Sequence, residues 1–159
     1  MLHKSKGKYH WQNKATYCVS WSLSPIILAY LKQLLKNKDS DGFGVPQYFC
    51  NKQAEIQGLG NWHEECAKED SKFDLDAAHK LHIEALEELV WAFQSDANDE
   101  EPDPEDFGLS YNFTDSKIQV NQERPTSKQE YASACESLYN RKNEAFKLFG
   151  EIYKGGLDW

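Results

Sequence analysis

The longest regular pattern in the chain lies near its end, and it obliges the protein to bury a helix. Tyr131, Ala134, Leu138, Ala145, Leu148 and Ile152 follow a seven-residue rhythm, with Arg141 the one polar intruder. Phe146, Phe149 and Tyr153 widen the stripe. Ser127-Lys-Gln-Glu130 fits the capping box, in which serine and glutamate satisfy each other's free backbone donors. Gly155-Gly156 supplies the stop. A helix this long with so broad an apolar face needs other elements to cover it.

Two further helices offer themselves. Ser24 reads as an N-cap and Pro25 as the first helical residue, where a missing N–H costs nothing. Ile27, Tyr30, Leu31, Leu34 and Leu35 then form an apolar face, with Lys36 and Lys38 suited to the helix end. The turn-rich stretch from Asp39 to Pro46 closes this helix. The next runs from a cap at Asp74 to about Gln94, with Leu75, Ala78, Leu86, Leu89, Val90 and Phe93 on one face. Trp91 falls opposite that face, which suggests an interface or a covering loop.

Elsewhere the pattern is weaker. Gln47–Gln57 suits a short helix ended by Gly58 and Gly60, and Trp62–Lys68 suits another. Leu109–Phe113 and Lys117–Val120 have weak strand character, as in a small hairpin or an ordered loop. Residues 1–14 have no hydrophobic period and read as a basic arm that Tyr9 and Trp11 could anchor. The expected fold is all-α: three principal helices, short helices and an irregular acidic loop at 96–106, packed like a bundle over residues 15–159.

Charge is segregated along the chain. Seven lysines precede the first carboxylate, Asp39, leaving 11 basic against 26 acidic residues and a net −15 over residues 39–159. Asp96–Asp106 holds seven carboxylates and no base. The overall −8 opposes general nucleic-acid binding. Basic arm and acidic remainder invite pairing, within one molecule or between copies. Twenty-one aromatic residues argue for a folded chain. No stretch has the ~18 apolar residues of a membrane span, and no signal peptide is expected. Cys18, Cys50, Cys66 and Cys135 form no CxxC and read as reduced, mostly buried thiols of a cytoplasmic protein.

Several of these segments, in order, resemble a family of short uncharacterised proteins encoded by tailed phages and marine viral genomes. Trp21-Ser-Leu23 leads into an apolar helix, and Gly44-Val-Pro46 matches the family's Gly-x-Pro turn. Ala92-Phe93 matches its Ala-Phe helix end. Leu148-Phe149-Gly150, Tyr153 and Trp159 match its last helix. The basic arm, residues 47–73 and residues 96–120 depart from that pattern. The resemblance implies a viral source and carries no activity and no catalytic residue. The expected location is accordingly the host cytoplasm, with the virion left open.

Three chemical patterns compete with this. His63-x2-Cys66 and, twelve residues on, His79-x2-His82 could supply four zinc ligands, against the plainer reading of semi-buried histidines with Cys66 as filler. Glu84-x-x-Glu87 is like one half of the magnesium site of all-α nucleotide pyrophosphohydrolases, but the second carboxylate pair is missing. The run Asp96–Asp106 could mimic phosphates and inhibit a host nucleic-acid-binding protein; a solvated loop is the plainer reading. The sequence therefore supports a small viral, non-enzymatic protein that binds protein or assembles with itself. No catalytic residue, cofactor or metal is assigned, and a metal-dependent hydrolase is the rival reading.

Overall fold

Helix α4, Leu75–Ala97, occupies the centre, and its sequence says why. Asp74 caps it, its carboxylate accepting the Ala77 N–H at 2.8 Å. Apolar or small residues then recur on two sides of the helix, with Ala78, Leu86, Leu89, Ala92 and Phe93 all buried. Leu75, by contrast, is exposed. The computed structural model describes residues 2–5, 8–11, 19–40, 43–114 and 117–154.

The first strands, β1 (Leu2–Ser5) and β2 (Lys8–Trp11), pair antiparallel, with Leu2 opposite Trp11. The arm therefore has regular backbone structure that its lack of hydrophobic period conceals. Helix α1 (Val19–Lys36) follows. It starts five residues before the expected Ser24 cap and holds Pro25 inside it, where the ring leaves the Trp21 carbonyl without its helical donor. Ser24 does not cap. Its hydroxyl donates to Asp96 at 2.5 Å, near the far end of α4, so the two helices run antiparallel. Leu31 is fully buried and Ile27, Leu34 and Leu35 pack beside it. Tyr30, expected on that face, is exposed and meets Tyr153 edge-on at 6.4 Å.

Helices α2 (Gln47–Ile56) and α3 (Trp62–Cys66) match the expected short helices. Gly58 takes φ 68°, the left-handed value that glycine adopts freely after a helix. A 3-10 turn (Pro104–Phe107) precedes strands β3 (Leu109–Thr114) and β4 (Lys117–Gln122), which pair antiparallel as the expected hairpin.

Helix α5 (Ser127–Tyr153) closes the bundle, and Gly155-Gly156 lies outside the described residues. The capping box does not form. The Ser127 hydroxyl accepts the Arg124 N–H, while Glu130 takes the Arg124 guanidinium at 2.9 Å. A charge-assisted pair outcompetes the neutral backbone donor. The buried stripe is also displaced from the expected one. Ala145, Phe146, Phe149, Ile152 and Tyr153 pack on the core, while Leu148 is half-buried outside it.

Two oddities of the sequence explain each other here. Arg141 lies with its guanidinium carbon 3.6 Å from the Trp91 ring centre. It also donates to both oxygens of Glu88, at 2.7 and 2.8 Å. The off-face tryptophan and the polar intruder thus form one clamp between α4 and α5, and Trp91 is covered by its own chain. Because the clamp is solvent-facing, Arg141→Ala should lower stability only mildly. Arg141→Lys should recover less than half of that, since lysine lacks the planar fork. Urea denaturation would measure both; a lysine variant as stable as the parent would refute the stacked, bidentate geometry.

Candidate interaction surface

The alternation between Leu109 and Gln122 decides what the hairpin offers. Ser110, Asn112, Gln119 and Asn121 alternate with Leu109, Tyr111, Phe113, Ile118 and Val120. The register sets Tyr111 opposite Val120 and Phe113 opposite Ile118. Directly opposed residues of an antiparallel pair project to the same side, so these apolar residues share one face. Their exposure rises steadily from root to tip. Along β3, Leu109 is 3% exposed, Tyr111 41% and Phe113 78%. Along β4, Val120 is 38% exposed and Ile118 64%.

The root is held firmly. Leu109 is in the interior, Phe107 packs edge-on against Tyr131 of α5 at 5.7 Å, and Gly108 accepts the Glu123 N–H at 2.9 Å. Gly108 has φ 68°, and a side chain there would meet Glu123 at about 3.0 Å, so the turn into β3 needs glycine. The upper half of the hairpin extends beyond this support. Taking ~200 Å² per aromatic side chain and somewhat less for Ile and Val, the four residues leave roughly 400 Å² of apolar surface open. That is within the range of the largest patches on ordinary monomers, which are often functional.

The zinc candidates do not come together. His82 is 3% exposed and sandwiched between the rings of Phe43 and Phe49, at 5.1 and 5.0 Å, with neither nitrogen hydrogen-bonded among the described residues. Burial, reinforced by the neighbouring His79, holds its pKa down at about 4. His79 meets the edge of Phe43, His63 stacks on Trp62 at 3.6 Å, and Cys66 is exposed. Among the described residues no group of three or more His, Cys, Asp or Glu side chains is placed to hold a metal ion. Glu84 pairs with Lys80 at 3.9 Å and is exposed, as is Glu87.

The acidic stretch is more ordered than the expected loop. Asp96 and Ala97 belong to α4, Asp99 takes a left-handed φ of 54°, and the Glu100 N–H returns to the Ser95 carbonyl at 2.9 Å. Asp103 caps the 3-10 turn, accepting the Glu105 N–H at 2.9 Å. Glu100, Glu101, Asp103, Glu105 and Asp106 remain exposed on this scaffold.

Cys50, Cys66 and Cys135 are free thiols, but only Cys50 is buried, contrary to expectation, and Cys18 lies outside the described residues. Burial pushes the Cys50 thiol up. Cys135 borders an open groove of about 360 Å³ with Glu100, Glu101, Pro102, Leu138 and Tyr139. Among the described residues, no histidine lines it to activate the thiol. Tyr131, bonded to Cys135, has its phenol pushed up to about 12, first by that bond and then by burial.

The helical fold expected from the sequence is thus present, whereas the hairpin's open face was missed. Its alternation was visible, but alternation signals one covered face and does not say that the cover lies outside the chain. Compared with protein-family models, curated proteins and solved structures, the chain matches none. Among the described residues, no helix is long and apolar enough to cross a membrane.

Proposed function

We propose that this is a small, non-enzymatic viral protein that acts by binding protein, its own copies included. The observation that carries the binding role is the hairpin face of Tyr111, Phe113, Ile118 and Val120, left open above the buried Leu109. Water-exposed aromatic and branched side chains in a contiguous patch are what partners cover. A two-stranded hairpin is itself marginal in water, so a partner on this face would also stabilise the strands. The viral part of the reading is supported by the order of the Trp21-x-Leu23, Gly44-x-Pro46, Ala92-Phe93 and Leu148-Phe149-Gly150 segments.

The test compares the parent with Phe113→Ser/Ile118→Ser, both immobilised, for capture of soluble protein, either the same chain or host proteins. Capture by the parent alone, with equal helical circular dichroism, is the expected result. Equal capture by both, or by neither, would remove the hairpin as a binding surface.

A further inference from the structure

We propose that the occupant of the hairpin face is a second copy of this chain, the two hairpins stacking face to face about a two-fold axis, tip against root. The proposal rests on the binding role above and names its partner.

Charge selects the occupant. Residues 39–159 carry a net −15, so the acidic parts of two copies repel one another. Within that stretch residues 109–122 are close to neutral. They hold only Asp115 and Lys117, which sum to zero. Two copies therefore meet there at less electrostatic cost than through the acidic remainder of residues 39–159. A strongly basic partner would be drawn instead to the exposed carboxylates of Glu100, Glu101 and Asp103, which are not part of this apolar face.

Charge also selects the orientation. Glu105, Asp106 and Glu123 flank the root in sequence, whereas the tip is neutral. Stacking root over root would gather the acids of both copies. Stacking tip over root separates them.

Shape agrees with charge. Tip-over-root stacking sets Phe113 of one copy over Tyr111 of the other, and Ile118 over Val120. In each pair a protruding side chain meets a recessed one, since the tip residues are the more exposed. Aromatic meets aromatic and branched meets branched across the ~10 Å that separates stacked sheets. Each contact occurs twice, as a two-fold requires.

Area sets the strength. Covering roughly 400 Å² on each copy buries about 800 Å² in total, below the ~1,200–2,000 Å² of stable interfaces. The dimer is therefore reversible and concentration-dependent.

Sedimentation of the full chain across a concentration series, at 0.1 and 1 M salt, tests this. The expected result is a monomer–dimer equilibrium that is retained or strengthened at 1 M, where repulsion between the acidic copies is screened. Phe113→Ser/Ile118→Ser should weaken it at least tenfold with the helical spectrum unchanged. Should that variant misfold, Ile118→Lys alone serves the same purpose. Tyr139→Ser, altering an exposed aromatic on α5, should leave the dimer intact. A dimer that survives the hairpin variants overturns the proposal. So does one that dissolves at 1 M salt and is lost on deleting residues 1–14, which would assign the contact to the basic arm. A monomer at every concentration that still captures a host protein through the hairpin overturns the homodimer and leaves the binding role standing. A monomer that captures nothing overturns both.

Discussion

Phe93→Ala is expected to lower the unfolding free energy by about 3–5 kcal/mol, the usual cost of emptying a buried phenylalanine site. Phe93 is nearly fully buried and meets Phe146 at 4.9 Å and Phe149 at 5.1 Å. It is the point where α4 and α5 share a core, and the cavity would lie between two helices that cannot both close on it. Against the ~5–15 kcal/mol typical of a whole domain, such a loss is large. Urea denaturation followed by circular dichroism reads it directly. Leu148→Ala, by contrast, should cost less than Phe149→Ala, because Leu148 lies outside the core cluster. An unchanged midpoint for Phe93→Ala would mean that α5 does not pack on α4 as described.

Acid should weaken the fold through His82. Its folded pKa is held down at about 4, against an ordinary value of 6.5, because the ring is buried between Phe43 and Phe49. The neighbouring His79 adds to this electrostatically. Below 6.5 the unfolded chain binds a proton that the folded chain refuses until about pH 4. Stability is thus intact above 6.5 and falls as pH drops through that window, by a total on the order of 3 kcal/mol. His82→Phe should remove one proton's worth of slope between pH 6.5 and 4. It should also hold or raise stability at pH 7, since both imidazole nitrogens lack partners among the described residues. Denaturation midpoints at pH 7, 6, 5 and 4 for both proteins decide it; parallel curves would show that His82 is not buried neutral.

What the sequence conveyed follows from what local patterns can encode. Asp74 and Gly58 mark helix ends because capping and left-handed backbone are decided by one or two residues. The hairpin was only half legible: its short, weak strand segments fit an ordered loop as well, and pairing across a turn is not written in either strand alone. Ser24-Pro25 misled because proline favours a first turn without excluding an interior one, and the hydroxyl's partner, Asp96, is 72 residues away. The capping box misled for a similar reason: Arg124, just outside the four-residue motif, claimed its glutamate. Leu148 misled because helical spacing gives a face and not the angle at which a neighbour covers it. Trp91 and Arg141 each looked misplaced until seen together, since a stacked cation is recorded in neither helix alone.

Gly108 gives the candidate surface a lever. The hairpin's tip lies six residues beyond it, or ~20 Å at the rise of an extended strand. A torsional change of about 15° at that residue would swing Phe113 by roughly 5 Å, the width of a side chain. Glycine holds φ 68° there without strain, and a methyl group would press on the Glu123 side chain at about 3.0 Å. The aim of the apolar face is thus governed by a residue that has no side chain to offer a partner. Variation at this pivot would redirect the surface without altering a single group on it.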